Sequence, residues 1–196
     1  MRLLVATTNP GKVREYQQLL SGLNCDLVGL ADLGITQDVD ETGSTYEDNA
    51  LLKAREYAIL SGLLTLADDS GLEVDALNGR PGVHSARYAP DSPTRIRRLL
   101  DEMQNVPVGQ RSARFQCVIA LAWPDGRSAV TSGTCEGWIT NEARGNNGFG
   151  FDPVFHVPER GMTMAELPED VKNQISHRAH AAQKMRPILE RILSEA

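Results

Sequence analysis

Apolar and polar residues alternate along the chain in a pattern that predicts strands followed by helices. Residues 3–6 form a continuous apolar run, which is typical of a strand buried on both faces. A polar turn follows, and then Val13, Tyr16, Leu19 and Leu20 recur at helical spacing. The chain is therefore expected to begin with a strand, a loop and a helix.

The next part of the chain predicts a second helix and a second buried strand. Ser44 to Glu47 has the pattern of a capping box, and small apolar residues then fall on one helical face. Residues 63–67 are apolar and predict a strand. We expect that strand to end at Asp68 and Asp69, which we call the acid pair, because Ser70 and Gly71 favour a turn.

The middle of the chain predicts a third helix and a hairpin. Pro93 lies in a first helical turn after Ser92, and apolar residues follow at helical spacing. From Ala113 to Leu121 the apolar period is two, and Pro124 to Arg127 is typical of a turn between strands. Because a hairpin is antiparallel, the sheet is expected to be mixed.

The C-terminal pattern predicts a helix from Ser176 to Leu193. Pro187 conflicts with a regular helix, since an interior proline costs about 3 kcal/mol, so we expect a kink or break near Gln183. No internal repeat, low-complexity tract or linker divides the sequence. We therefore expect a single α/β domain over residues 1–196.

The composition narrows the class of ligand. The 196 residues are 41% hydrophobic and 23% charged, as in ordinary globular proteins. A formal net charge of −6 argues against electrostatic binding of a nucleic-acid polymer. A small polyanion that meets a few local cations and a metal is compatible with this charge.

The cysteines and the lengths of the apolar runs predict the compartment. Cys25, Cys117 and Cys135 form no CxxC or Cys/His pattern, so free thiols in a reducing compartment are expected. No apolar run approaches the ~20 residues of a membrane span, and the N terminus lacks a signal-peptide core. We expect a cytoplasmic protein with no membrane partner.

The acid pair is the strongest chemical signal in the sequence. Two adjacent carboxylates are costly to hold in a folded protein unless a cation or a proton-transfer task uses them. In a regular strand they point to opposite faces, so both serve one site only if the strand ends or bulges there. One acid then suits metal binding and the other general-base work, whereas an exposed acidic turn is the alternative.

Three further segments offer groups for a phosphate ligand. Residues 7–12 follow a strand and open a helix, where backbone N–H groups and a lysine can meet phosphate, although the P-loop spacing is absent. Asp40 and Glu41 can offer oxygen ligands to Mg²⁺. Lys53 lies one helical turn after Asn49. Taken alone, each segment is better explained as an ordinary solvated turn or a solvated helix face.

A glycine-rich aromatic segment and a group of donors occur later in the chain. Gly145 to Phe155 contains glycines beside aromatic residues, which allows close approach to a flat ligand and stacking on a base. A loop packed on the core is the alternative. Lys172, His177 and Arg178 offer cationic or donor groups near the terminal helix, where a solvated basic helix start is the alternative.

The order of these segments resembles one family across nearly the whole chain. The segments are Thr8 to Lys12, Asp40 to Gly43, Glu47 to Ala54, Ala67 to Leu72, Pro81-Gly82 with Ser85 to Tyr88, Gly148 to Pro153, and Ser176 to Arg178. Each is weak to moderate alone, but together they closely resemble the inosine/xanthosine triphosphate pyrophosphatase family.

The resemblance implies a homodimeric, Mg²⁺-dependent hydrolase. Such an enzyme cleaves the deaminated purine nucleoside triphosphates ITP, dITP and XTP to the monophosphate and pyrophosphate, which removes mutagenic precursors from the nucleotide pool. The implied α/β fold is an elongated, two-lobed single domain. Its central mixed sheet is flanked by helices, with the active-site cleft between the lobes.

The resemblance also implies roles for the matched residues. Asp69 would activate water, and the acids proposed to hold the metal are Asp40, Glu41, Asp68 and Asp69. The residues implied to bind substrate are Thr7, Thr8, Asn9, Pro10, Gly11, Lys12, Lys53, Ser70, Phe149, Gly150, Phe151, Asp152, Lys172, His177 and Arg178.

Physical arguments support parts of this assignment and leave others open. A 6-keto purine presents an acceptor where adenine presents a donor, so N–H donors near Phe149, Lys172 or Arg178 would disfavour adenine. Pro10 removes one N–H from the segment that would meet phosphate. The adjacent Asp40 and Glu41 leave open which acid reaches the metal.

Two other functions are compatible with the sequence. One is a pyrophosphatase for modified pyrimidine triphosphates, and the other is a nucleotide sensor without turnover. The acid pair argues against a sensor, because carboxylates that face a triphosphate repel it unless metal chemistry compensates.

Overall fold

The protein has an α/β architecture in the computed structural model, which describes residues 1–195. The strands are β1 (Arg2–Val5), β2 (Asp26–Gly29), β3 (Leu64–Val74), β4 (Ser112–Ala122), β5 (Ser128–Ile139), β6 (Phe155–Val157) and β7 (Met162–Thr163). The helices are α1 (Pro10–Leu19), α2 (Tyr46–Ser61), α3 (Ser92–Glu102), α4 (Glu169–Ile175) and α5 (His177–Ser194).

The strands form one seven-stranded sheet in the order β2-β1-β3-β4-β5-β6-β7. β1 pairs in parallel with both β2 and β3, whereas β6 pairs antiparallel with β5 and β7. A tight turn joins β4 to β5, and the Trp123 N–H donates to the Arg127 carbonyl at 2.9 Å. The predicted mixed sheet and the predicted hairpin are confirmed.

The chain separates into two compact units. Unit 1 comprises residues 1–69, 117–133 and the chain from residue 178 on. Its part of the sheet is covered on both faces: Leu3 and Val5 share a core cluster with residues of α1 and α5, and Leu4 and Ala6 share another with residues of α2. This alternation follows from the period of two in a strand, which sends successive side chains to opposite faces.

Unit 2 comprises Ser70–Gln116 and Thr134–His177 and has one core cluster. Leu72, Leu99 and Phe115 contribute to it from β3, α3 and β4 respectively. The Phe115 ring lies 4.4 Å from that of Phe155, measured between centroids. The single-domain assignment and the elongated, two-lobed outline with its cleft stay predictions.

Two predicted helices differ from the structure, one at its start and one in its interior. The N-cap of α2 is Thr45, whose side chain accepts from the Asp48 N–H, so the helix starts one residue later than a Ser44 capping box would place it. The predicted break near Gln183 is wrong, because α5 runs from His177 to Ser194 with Pro187 inside it, and the predicted kink stays a prediction. Pro187 and Gln183 are both exposed, so water can bond the carbonyl that the proline leaves unpaired.

Two further predictions concern cysteines and membranes. All three cysteines are free, and Cys117 and Cys135 are buried. Within residues 1–195, no helix has both the length and the apolar character needed to cross a bilayer.

Candidate active site

The acid pair lies inside β3 and not at its end. The predicted stop at Ser70 and Gly71 is wrong, because the strand continues to Val74. Leu72 and Val74 are fully buried in the core of unit 2, which keeps this part of the chain extended. The two carboxylates therefore belong to opposite faces of one strand.

The contacts of the acid pair match this division between faces. Leu66 belongs to the core cluster that contains α1 and α5 residues, and Asp68 shares its strand face, whereas Ala67 and Asp69 share the α2 face. Asp68 and Asp69 are only 2% and 5% exposed. Each buried carboxylate therefore needs its own stabilising partners.

Asp68 is surrounded by cations. Its Oδ2 lies 3.0 Å from Lys12 Nζ and 3.2 Å from Arg178 Nη2, and the Cys117 thiol donates to the same oxygen over 3.6 Å. Burial alone would raise the pKa of Asp68, but Lys12, Arg178 and Lys53 together hold it well below the ordinary value. Asp68 is thus ionised at neutral pH.

Arg178 joins Asp68 to a second acid on α1. Its Nη1 donates to Glu15 Oε2 at 2.6 Å, and its side chain is 1% exposed. Burial acts to lower the pKa of Arg178, whereas Asp68 and Glu15 raise it, and the net pKa is above the ordinary value. The guanidinium is therefore buried between two carboxylates and bonded to both. A role of Arg178 in nucleotide binding stays a prediction.

Asp69 has different surroundings. Its Oδ2 accepts from Asn49 Nδ2 at 2.9 Å, and Asn49 is fully buried. Burial raises the pKa of Asp69 above its ordinary value, although Lys53 and the Asn49 hydrogen bond act to lower it. A carboxylate with a raised pKa is suited to accept a proton during a reaction.

Lys53 connects the acidic loop with the acid pair. Its Nζ lies 2.5 Å from Glu41 Oε1 and 2.6 Å from the Asp68 carbonyl oxygen. Burial acts to lower the pKa of Lys53, but Asp68, Glu41 and Asp69 raise it, and the net shift is upward. Glu41 is thereby brought to the cluster, whereas the neighbouring Asp40 is exposed.

The oxygen donors of unit 1 fit a divalent cation that takes some of its ligands from the protein and the others from a substrate or water. No group of three or more Asp, Glu, His or Cys side chains within residues 1–195 is arranged to hold a metal by itself. Asp68 Oδ1 is buried and forms no hydrogen bond within this part of the chain. Mg²⁺ usually keeps several waters or phosphate oxygens and needs only one or two carboxylates, so Glu41 and Asp69 are chemically suitable, whereas Asp68 belongs to the opposite face of β3.

The segment between β1 and α1 is tied to itself. Asn9 is the N-cap of α1, and its Oδ1 accepts from the Gly11 N–H at 2.8 Å and the Lys12 N–H at 3.3 Å. The Asn9 N–H donates to Thr7 Oγ1 at 3.2 Å. These backbone donors are therefore occupied, and the side-chain donors that could meet a phosphate here include the Thr8 hydroxyl, the Asn9 amide N–H groups and the Lys12 ammonium group. Pro10 is the first residue of the helix and has no N–H.

Unit 2 contains a second polar group around a buried ion pair. Lys172 Nζ lies 2.5 Å from Asp152 Oδ2, and each side chain is 4% exposed. The same Asp152 oxygen accepts from the Phe149 N–H at 2.8 Å, and Lys172 Nζ lies 4.7 Å from the Phe149 ring centroid. A Cβ on Gly148 would clash with the Asp152 carboxylate, so this glycine permits the close approach.

The two aromatic side chains of this segment have different environments. Phe149 is partly exposed, whereas Phe151 is 4% exposed and packs against Tyr88 with ring centroids 6.2 Å apart. Phe149 is thus the more exposed of the two rings, and Phe151 holds the segment to the core. Nearby in unit 2, His177 is buried and stacks on Phe115 at 4.7 Å.

The arrangement in unit 1 has the character of a phosphate site, and comparison with known proteins gives it a family. The model of the Ham1 family matches residues 3–188. The chain belongs to the Ham1 family. This membership confirms the family resemblance expected from the order of the motifs.

Relatives of this Ham1 chain include proteins named dITP/XTP pyrophosphatase. That of Bacillus subtilis strain 168 is 45% identical over 190 residues, which cover 95% of this chain and 96% of the relative. That of Geobacillus kaustophilus strain HTA426 is 50% identical over 186 residues, which cover 93% of this chain and 91% of the relative.

Solved structures of Ham1 proteins share the fold. A HAM1 protein from Coxiella burnetii is 41% identical, with a TM-score of 0.87 over 100% of both chains. The Staphylococcus aureus Ham1 protein is 40% identical, with a TM-score of 0.86 over 98% of this chain and 100% of that one. The α/β fold with a central mixed sheet is confirmed.

Three contacts around the acid pair in this Ham1 chain were not predicted from the sequence. Glu15, which bonds Arg178, has no local signal that separates it from a surface residue of α1. The alternation in β4 places Cys117 on the core-facing side, which predicts packing but does not predict its bond to Asp68. Asn49 was noted for its spacing from Lys53, but the pattern favoured a solvated helix face, whereas the structure buries its amide against Asp69.

Proposed function

We propose that this protein hydrolyses the deaminated purine nucleoside triphosphates ITP, dITP and XTP to the monophosphate and pyrophosphate. The relatives named dITP/XTP pyrophosphatase support this activity, at 45% and 50% identity over 95% and 93% of the chain. The structural observation that carries the proposal is the division of the acid pair. Asp69 accepts a hydrogen bond from Asn49, and Asp68 forms ion pairs with Lys12 and Arg178.

Asp69 is the proposed general base. Water attacks the α-phosphorus in line with the leaving pyrophosphate, its proton passes to Asp69, and the bond from the α-phosphorus to the bridging oxygen breaks. Lys12 and Lys53 supply positive charge to the phosphates, since their ammonium groups already lie within 3.0 Å of oxygens in this cluster. The Thr8 hydroxyl is a further proposed donor.

The proposed metal is Mg²⁺, held by Glu41 and Asp69. Bound there, it would neutralise charge on the phosphates and act as a Lewis acid. Asp68 belongs to the opposite face of β3, so of the acid pair it is the weaker candidate for a metal ligand. Of the two loop acids, Asp40 is the weaker candidate, because it is exposed while Glu41 is bonded to Lys53.

The proposed base-binding group belongs to unit 2. Phe149 offers a partly exposed ring, and Lys172 offers an ammonium group held by Asp152. Donors of this kind match the 6-keto oxygen of hypoxanthine or xanthine and oppose the 6-amino group of adenine. We also propose that Ser70, Gly150, Phe151, His177 and Arg178 contribute to nucleotide binding. A homodimer and a cytoplasmic location complete the proposal.

A substrate panel tests the activity. Pyrophosphate release is measured with ITP, dITP, XTP, ATP, GTP and modified pyrimidine triphosphates in Mg²⁺. The first three should give kcat/KM values at least roughly tenfold above ATP, since a mispaired 6-amino group is strongly rejected. GTP shares the 6-keto oxygen, so a low rate with GTP would require a separate contact that rejects its 2-amino group. Asp69→Asn should lower kcat about a hundredfold or more.

The matched control is Asp125→Asn, which alters an exposed acid in the turn between β4 and β5. It should leave the rates unchanged. Preference for a pyrimidine triphosphate, or near-normal turnover by Asp69→Asn, would refute the assignment. Tight ITP binding without pyrophosphate release would instead identify a sensor.

A further inference from the structure

Asn49 occupies a position where an amide is costly unless both ends are bonded. It lies in the first turn of α2 and is fully buried. Its Oδ1 accepts from the Gly43 N–H at 2.8 Å, and its Nδ2 donates to Asp69 Oδ2 at 2.9 Å. One side chain thus bonds the acidic loop before α2 and the proposed base on β3.

The chemistry of these two partners fixes the orientation of the amide. A backbone N–H can only donate, and an ionised carboxylate can only accept. A flipped Asn49 would place donor against donor at Gly43 and acceptor against acceptor at Asp69. The amide therefore has a single favourable orientation, which in turn favours one position of the Asp69 carboxylate.

Gly43 is closely packed against the start of α2. A Cβ at this position would lie 2.5 Å from Asp48 Cβ and 2.7 Å from Asn49 Oδ1. The loop can therefore approach Asn49 only because residue 43 has no side chain. Two residues earlier, Glu41 bonds Lys53, so the loop is attached to α2 at two points.

We propose that Asn49 is a positioning residue that holds Asp69 and the acidic loop in one fixed arrangement. The proposal rests on the proposed function, because Asp69 is taken as the base of that reaction. In this proposal Asn49 acts through its two partners, Gly43 and Asp69, and not through the substrate. Its loss should therefore lower turnover more than substrate affinity.

Two substitutions separate the two bonds. Asn49→Asp keeps an acceptor for the Gly43 N–H but removes the donor to Asp69, whereas Asn49→Ala removes both. We expect kcat for ITP to fall roughly tenfold or more in each, with KM changed less than about threefold. Of the two variants, only Asn49→Asp should keep the Gly43 amide signal in ¹H–¹⁵N spectra near its wild-type position. Only in that variant should the Gly43 N–H retain slow hydrogen exchange with water.

Tyr57→Phe is the matched control on the same helix. Tyr57 is 2% exposed, and its hydroxyl donates to the Gln37 carbonyl at 3.0 Å, so this variant also loses one hydrogen bond from α2. It should keep kcat within about twofold of wild type, because Asp69 retains its partner. Thermal unfolding of all three variants shows how far each is destabilised.

The outcomes distinguish this inference from the proposed function. If wild-type protein turns over ITP and Asn49→Asp keeps kcat within twofold, only the positioning role fails. It also fails if Tyr57→Phe loses as much activity as the Asn49 variants, or if Gly43 exchange is equally slow in Asn49→Ala. If wild-type protein releases no pyrophosphate from ITP, dITP or XTP, the proposed function fails and the inference fails with it.

Discussion

At the scale of single residues, two adjacent carboxylates on one strand have pKa values shifted in opposite directions. Asp68 has a lowered pKa because three cations outweigh its burial, and Asp69 has a raised pKa because burial outweighs its partners. The adjacency of the two acids was evident in the sequence. Their division was not, because Arg178 and Glu15, which complete the Asp68 cluster, are 163 residues apart.

Replacing Asp68 with asparagine should strongly destabilise the protein at neutral pH. Asp68→Asn leaves Lys12 without this counter-charge and leaves Arg178 with Glu15 alone, and breaking a buried pair in this way costs about 3–5 kcal/mol. The pKa of Asp68 is lower in the folded than in the unfolded protein, so its stabilisation is present above the unfolded value of about 3.9. As pH falls below that value, the stabilisation is lost.

Urea unfolding at several pH values measures this effect. The difference between wild type and Asp68→Asn should be largest near pH 7 and shrink below about pH 4. Asp125→Asn is the control, since its ion pair with Arg127 is exposed and should matter little. A difference that is constant from pH 7 to pH 3 would contradict the assigned ionisation of Asp68.

At the scale of elements, the local pattern predicted which helices and strands exist better than it predicted where they begin and end. The alternation from Ala113 to Ile119 in β4 agrees with the burial of every second residue. The pattern could not show that β3 continues past Ser70, because the burial of Leu72 and Val74 depends on partners distant in sequence. It also overstated the effect of Pro187, which lies on an exposed face of α5.

The start of α2 supports an element-scale prediction. Thr45 Oγ1 accepts from the Asp48 N–H at 3.1 Å, which satisfies one of the free donors at the helix N terminus. Thr45→Ala should therefore reduce the free energy of unfolding by about 1 kcal/mol, measured in urea. Thr45→Ser keeps the hydroxyl and should retain most of that stability. Equal losses in both variants would show that the cap contributes nothing.

At the scale of the whole molecule, the order of motifs was more informative than any one motif. Segments from Thr8 to Arg178 matched a single family, and the Ham1 model covers residues 3–188. Two contacts differ from the predicted ligand binding: Asn9 caps its own helix, and Phe151 packs in a core. The Asn9 cap is a local contact of a kind the sequence can indicate, whereas the packing of Phe151 depends on distant partners about which local pattern carries no information.

The proposed homodimer is tested on the intact protein. Size-exclusion chromatography with light scattering should give a mass of twice 21.4 kDa at micromolar concentration. Large apolar side chains such as Trp138 and Met162 are 39% and 46% exposed, and burying such surface would favour association. A mass of 21.4 kDa at every concentration would exclude the dimer.

The register in which β3 pairs with β1 determines whether the proposed base is placed correctly. Val5 lies opposite Leu66 in the parallel pair, and that register determines which face each of the next residues occupies. A slip of one position would send Asp69 toward the cations of α1 and α5 and present Asp68 to Asn49. A molecule with this fault would keep its full set of active-site residues and still place its base on the wrong side of the sheet.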